Sequence, residues 1–200
     1  IQTVVEAVMT YYLLAARSLR DESMAVCRKL EAGEIEEARY AVSMIVGRDT
    51  KPLSEAGIAR AAVETVAENA SDGVIAPFFY LAIGGPLLGW LYKAVNTMYS
   101  MVGYKNDRYL HFGRASRLAA LLLIVSAYLL RYDGKNAYRI WRRDRRNHKS
   151  PNSAQTESAC AGALGLRLAG DAWYFGKLVP KPYIGDEIHP IEPQDIRRVN

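Results

Sequence analysis

The chain has few cysteines, weak strand signals and none of the common nucleotide or protease motifs, and each shortage removes a class of protein. Cys27 and Cys160 are the two cysteines in 200 residues, with no C-x-x-C and no Cys/His cluster. That excludes a disulfide scaffold and argues against a structural zinc site. Two thiols far apart in sequence suit a reducing compartment. There is no G-x-x-x-x-G-K-[ST]; Gly170 to Lys177 comes near, but the glycine spacing is wrong and Leu178 stands where Ser or Thr belongs. H-E-x-x-H, G-x-S-x-G and G-x-G-x-x-G are also missing. A nucleotide, if one binds, binds outside the P-loop class. Apolar residues make up 50% and charged residues 24%, so neither disorder nor a collagen-like repeat fits. The chain begins at Ile1 without Met and reads as a portion of something longer. Its length suits a single domain able to bury a core without staples.

What the chain does have is local apolar runs. Ile1 to Ala16 carries one charge, Glu6, and reads as the end of a longer hydrophobic helix, with Arg17 and Arg20 following. Asp21 to Val46 reads as a helical hairpin broken at Gly33. Gly47 to Pro52 is a loop, and Ser54 is a good N-cap for a helix through about Ala70. Gly73 to Tyr92 holds no charged residue and is just long enough to cross a bilayer. Its Pro77, Gly84, Gly85, Pro86 and Gly89 oppose a straight helix. A broken or re-entrant segment follows, which membranes tolerate where protein or water satisfies the backbone. Leu118 to Leu130 is apolar but only thirteen residues long, suited to a short span or a core helix. Arg139, Arg142, Arg143, Arg145, Arg146 and Lys149 come after it, and if Leu118 to Leu130 spans the bilayer, the positive-inside rule puts this cluster in the cytoplasm. After Pro151 small residues allow close helix packing, and the tail from Pro180 reads as an ordered loop. The expected fold is all-α: a polytopic helical membrane protein with a broken or re-entrant apolar segment, residues 1–200 forming a single helical membrane domain.

Three stretches can carry chemistry. In the first, Glu64, Glu68 and Asp72 follow one another at helical spacing with Asn69 beside them. Such an acidic stripe against an apolar segment calls for a cation, and Mg²⁺ carried by a nucleotide suits hard oxygen ligands. The plainer alternative is a solvated face with Arg60 pairing to Glu64. The second is Lys93 to Tyr109, with Asn96, Tyr104, Lys105, Asn106 and Arg108, able to hold a phosphate and bond amides. Its alternative is a surface loop at a membrane boundary. The third is Arg142 to Asn152, with Arg145 and His148, which reads equally as a phosphate site or a positive-inside flank. Nucleic acid is disfavoured, because aromatics are not interleaved with the charge.

Several of these stretches together resemble one family. They are Val46-Gly-Arg-Asp-Thr50, Ala61 to Pro77, Lys93-Ala-Val-Asn-Thr97, Met101 to Asn106, Asp144 to Asn152, Gly162-Ala-Leu-Gly165 and Ile184-Gly-Asp186. In this order they are similar to the adenosylcobinamide-phosphate synthase family of cobalamin biosynthesis (the CobD/CbiB family). The resemblance implies a multi-pass protein of the cytoplasmic (inner) membrane with its active face cytoplasmic. It implies an ATP-dependent carbon–nitrogen ligase, using Mg²⁺ and ATP, that joins the corrinoid adenosylcobyric acid to an aminopropanol or its phosphate. On that basis Glu64, Glu68, Asp72 and His148 are expected to be catalytic, the three acids also serving as metal ligands. Asn69, Lys93, Asn96, Tyr104, Lys105, Asn106, Arg108, Arg145 and Asn152 are expected to bind substrate or phosphate. The partners implied are the lipid bilayer and the two substrates, with a homo-oligomer or other cobalamin-assembly enzymes left open. A distant, non-catalytic relative linked to beta-lactamase induction is the alternative. Three departures from the family pattern stand out: a shorter N-terminal region, an absent stretch after Ser116, and Tyr99 where an acidic residue is expected.

Overall fold

The computed structural model describes residues 2–14, 16–102, 112–148 and 152–200. Its described residues form helices α1 (Gln2–Leu13), α2 (Ala16–Glu31), α3 (Ile35–Ser43), α4 (Glu55–Asn69), α5 (Ala76–Val102), α6 (Phe112–Leu129), α7 (Gly134–Asp144), α8 (Ser153–Leu164) and α9 (Pro193–Val199). A π-helical turn, Ala70–Ile75, joins α4 to α5. Four short strands, β1 (Leu168–Ala169), β2 (Ala172–Tyr174), β3 (Lys177–Val179) and β4 (Tyr183–Ile184), pair antiparallel as β1–β4 and β2–β3. The protein is mainly helical, as expected, but two corrections apply. The region after Leu164 holds these strand pairs, and the expected loop after Pro180 contains β4 and α9. Glycine turns made the pairs possible: Gly170, Gly176 and Gly185 all have positive φ. Pro193 at the start of α9 and the reciprocal Glu192–Asp195 capping box start that helix.

The helical hairpin α2–α3 turns at Gly33, φ 73°. Ser54 caps α4 by accepting from the Gly57 amide at 3.2 Å. A core of Val26, Leu30, Val42, Ile58, Val63, Ile140, Leu166 and Ile184 joins α2, α3, α4, α7 and the strands. Helices α7 and α8 meet backbone to backbone: a Cβ on Gly162 would lie 2.7 Å from Ala137 Cα, and Asn136 Nδ2 donates to Gly162 O at 2.8 Å. The buried Asp144 carboxylate accepts from the Gly185 amide at 2.8 Å and from Arg143 Nε at 2.7 Å. Several of the family-like stretches therefore act first as structural clasps.

The apolar segment is broken at the expected place. Gly84 (φ −139°) and Gly85 (φ 69°) leave the helical region, and Pro86 then restarts the helix without needing an amide donor. The two arms fold back on each other. The rings of Tyr80 and Tyr92 stack at 4.8 Å, where a continuous helix would hold them about 18 Å apart. Gly89 leaves room for Leu13 of α1, since a Cβ there would sit 2.4 Å from Leu13 Cδ2. Trp90 Nε1 donates to Met9 O at 3.0 Å. Helix α6 runs unbroken through Ser116 and Arg117, and one face packs on α7 and α8.

Among the described residues one stretch, Glu55–Met98, is long and apolar enough to cross a membrane by length and composition. Only 17% of its apolar window is buried within the protein, which is unlike the core helix of a soluble domain. Val5 and Val8 of α1, Ile83 and Leu87 of α5, and Leu122 and Val125 of α6 are likewise exposed. These residues lie on helices in mutual contact, α1 with α5 and α5 with α6.

Candidate functional site

The acidic stripe of α4 is not a solvated face. Glu64 is buried, and both of its oxygens are taken. Oε2 pairs with Arg48 Nη2, and Oε1 accepts from the Ala169 amide at 2.7 Å. Ala169 has φ 59°, a conformation that a non-glycine residue adopts at a cost. The Glu64 bond helps hold it there. Glu64, expected as a catalytic residue and metal ligand, thus has both oxygens engaged by protein partners in this structure. Arg60 does not pair with it; the Arg60 Nε is buried without a hydrogen bond.

One turn on, Glu68 is half-buried and accepts from Ser153 Oγ at 2.5 Å. Ser153 opens α8 directly after Asn152, so the end of the basic stretch reaches the acidic stripe. Asp72 lies in the π-helical turn, and Asn96 Nδ2 donates to its Oδ2 at 3.5 Å. Lys93, one helical turn before Asn96, interacts electrostatically with Asp72. The turned-back hairpin brings Lys93 and Asn96 to the same end as the acids. Asn69 bonds its own helix instead, Nδ2 donating to Thr65 O at 2.9 Å.

The remaining expected residues divide. Arg145 stacks over the Trp141 ring at 4.8 Å; His148 and Asn152 are half-buried near the start of α8. Tyr104, Lys105, Asn106 and Arg108 lie outside the described residues. No group of three or more His, Cys, Asp or Glu residues is arranged to hold a metal among the described residues. Glu64 and Asp72 are two helical turns apart, about 12 Å along the axis, too far to share one ion. Glu68 and Asp72, one turn apart, remain as oxygen donors. A pair of carboxylates is what Mg²⁺ uses when substrate phosphates supply much of its coordination.

Sequence reading missed Glu157. It sits in α8 at 4% exposure. Burial, and then the nearby charges of Glu64 and Glu68, push its carboxyl well above the usual range. Arg48 and Lys181 oppose that shift. The available signal was a lone acid inside an otherwise small, uncharged helix.

A family model described as "CobD/Cbib protein" matches residues 1–200. The chain belongs to this family. Relatives named "Cobalamin biosynthesis protein CobD" include those of Clostridium perfringens, 50% identical over 210 residues, Geobacter metallireducens, 53% over 201, and Klebsiella pneumoniae, 50% over 206. These alignments cover 99%, 94% and 97% of this chain but 67%, 63% and 65% of the relatives. The chain thus spans about two thirds of the length of the CobD relatives it matches. No solved structure matches it. Within this CobD/CbiB frame, Arg48 of the Val46–Thr50 stretch braces Glu64. Gly162 brings α7 against α8, and the Asp144–Gly185 bond ties two family-like stretches together.

Proposed function

We propose that the protein of which this chain is part acts in cobalamin biosynthesis, forming the amide bond between adenosylcobyric acid and an aminopropanol or its phosphate. Family membership and the names of its relatives support the cobalamin role. The observation that carries the site is the return of the apolar hairpin. It sets Asp72 against Asn96 next to Glu68 and Ser153, giving a polar site at the mouth of an apolar segment.

The chemistry needs three things from the protein. A propionate carboxylate must be activated, with its oxygen attacking the terminal phosphorus of ATP to give an acyl phosphate and ADP. The amine then attacks the acyl carbon, inorganic phosphate leaves, and the ammonium proton must go to a base. Glu68 and Asp72 are the available carboxylates for that proton. Lys93 offers a cation for phosphate, and Asn96 and Asn152 offer amides for the corrin side chains or phosphate. Glu68 and Asp72 would hold Mg²⁺ brought with ATP, and the ion would neutralise charge developing on the phosphates. Exposed apolar faces on α1, α5 and α6 fit a protein embedded in the cytoplasmic membrane, with this site on the cytoplasmic side.

The test is direct. Membranes carrying the full-length protein are incubated with adenosylcobyric acid, ATP, Mg²⁺ and either aminopropanol or its phosphate. The corrin product is identified by mass. An amide product requiring ATP is expected; unchanged adenosylcobyric acid in both arms would overturn the ligase reading. Retention in the bilayer after carbonate washing tests the membrane reading.

A further inference from the structure

The β2–β3 hairpin presents an aromatic surface to solvent that the chemistry above does not use. Its register sets Trp173 opposite Leu178, so their side chains share one face, and both are exposed. The two-residue turn, Phe175-Gly176, has positive φ at both positions, 52° and 74°. Asn or Gly is favoured in that geometry, yet Phe175 occupies it with 93% of its surface exposed. A bulky residue there is strained, and its ring gains no burial within the described chain. Across a cleft of 660 Å³ from Trp173 and Gly176 stands Ser43, the last residue of α3. Its neighbours Tyr40 and Met44 are exposed as well.

The hairpin is held near the level at which the chain enters its apolar segment. The Asp49 amide donates to Trp173 O at 2.9 Å, and the Gly176 amide donates to Asp49 Oδ2 at 2.7 Å. The loop so fastened carries Arg48, which pairs with Glu64. Ala169, three residues before β2, donates its amide to the same carboxylate. Glu64 lies five residues before Asn69, the last residue of α4, or about 7.5 Å along the axis. The π-helical turn and α5 follow. A three-residue strand reaches about 10 Å, and the headgroup layer on each side of a bilayer is about 5–7 Å thick. A hairpin of this length, starting at this level, can reach that layer. Its charge suits the same place: residues 172–185 hold Lys177 and Lys181 and no acid. Aromatic rings beside lysines are the composition of segments seated among headgroups, whereas lysine is depleted from protein–protein interfaces.

We propose that the β2–β3 hairpin is an interfacial anchor, seated in the headgroup layer of an anionic leaflet with Phe175 and Trp173 as its wedge and Lys177 at the lipid phosphates. This rests on the membrane reading above and goes beyond it, since the hairpin belongs to no apolar helix. The leaflet is the cytoplasmic one, where anionic lipid attracts lysines close to the surface. Asp49 is the positioning residue, because its amide and its carboxylate both hold the hairpin. Through Arg48 and Ala169 the anchor is joined to Glu64, one turn before Glu68. Seating the hairpin therefore fixes the depth of the acidic stripe relative to the bilayer surface.

The experiment places single spin labels in the full-length protein, its accessible native cysteines replaced by serine, in phosphatidylglycerol/phosphatidylcholine nanodiscs. Phe175→Cys reports the hairpin tip. Leu87→Cys, at an exposed position of the apolar segment, reports the bilayer. Ala32→Cys, exposed at the turn beyond α2, reports water. Collisions of each label are measured with oxygen, which concentrates in lipid, and with a water-soluble nickel chelate. The label at 175 should collide mainly with oxygen, as at 87, and the label at 32 mainly with the chelate. Lys177→Ala should shift the hairpin about fivefold toward the chelate, the effect of one lysine at an anionic surface, and should do so less in pure phosphatidylcholine. Where a label at 175 disturbs the turn, Leu178→Cys on the same hairpin gives the reading instead. A hairpin label as open to the chelate as the one at 32, with 87 still in lipid, would overturn the anchor and leave the membrane reading standing. A label at 87 in water would remove both. A hairpin label shielded from both reagents would mean that protein covers the surface, and a Lys177→Ala effect equal in the two lipids would mean that no anionic headgroup meets it; either result overturns the proposal.

Discussion

Asp72 and Asn96 are 24 residues apart in sequence and 3.5 Å apart in space. In one continuous helix that separation would be about 36 Å. The Gly84-Gly85-Pro86 break closes the gap, because Gly85 holds φ 69° and the residue before a proline avoids the α region. A Cβ on Gly85 would meet nothing, so substitution there acts through the backbone alone. Gly85→Val is expected to cost about 1–2 kcal/mol in the hairpin conformation, and Gly84→Ala/Gly85→Ala should favour a continuous helix. Paired spin labels at Val74 and Ala94 should report a short distance in the native protein. In the double variant the distance should lengthen, with loss of amide formation. Unchanged distances in that variant would show that the turn does not depend on these glycines.

Glu68 is the acid of the stripe placed best for chemistry, since Glu64 is fully engaged and Glu68 is held by a single hydroxyl donor. Glu68→Gln preserves the acceptor for Ser153 and removes the base. Amide formation should fall by about 10²–10⁴-fold, with membrane insertion and thermal stability close to wild type. Product measured by mass at near-normal rates would remove Glu68 from the reaction.

Much of this site was legible in the sequence, for a physical reason. Helical spacing put Glu64, Glu68 and Asp72 on one side of α4 and its extension, and a charge-free segment interrupted by Gly-Gly-Pro foretold the break. What spacing could not tell was which carboxylate would be neutralised by its partners. Arg48 and the Ala169 amide reach Glu64 from parts of the chain 16 and 105 residues away. The strand pairs after Leu164 were equally hidden. Strands of two or three residues carry no periodicity, and their bonds to Asp49 and Asp144 come from distant loops.

The Arg48–Glu64 pair gives the sharpest stability prediction. Both side chains are largely buried, at 16% and 6% exposure. Arg48→Ala leaves a buried carboxylate with no cation, expected to cost about 3–5 kcal/mol. Adding Glu64→Gln should recover part of that loss, because the neutral amide still offers an oxygen to the Ala169 amide. Chemical denaturation of the single and double variants in one detergent measures the coupling. Additive losses would show that the pair contributes little as a pair.

His189 supplies the pH dependence. Its Nδ1 lies 2.9 Å from Pro190 O and its Nε2 lies 2.8 Å from Leu164 O. Two carbonyl oxygens accept and cannot donate, so the ring satisfies both only as the doubly protonated cation. The Pro190 contact, and then the Leu164 contact, raise the imidazole above its ordinary value, while partial burial opposes them. A folded-state pKa above the unfolded one means that the proton stabilises the fold. That contribution is complete below the unfolded value, near 6.5, and fades as pH rises through the higher folded value. The bond to Leu164 ties the segment before α9 to the C-terminal end of α8. The stability difference between wild type and His189→Gln should therefore be largest on the acid side of neutrality and shrink as the solution becomes alkaline. Thermal unfolding of both proteins from about pH 5.5 to pH 8.5 measures it. A difference that stays constant with pH, or grows toward high pH, would mean that the ring is held neutral and that only one of its two contacts is a hydrogen bond.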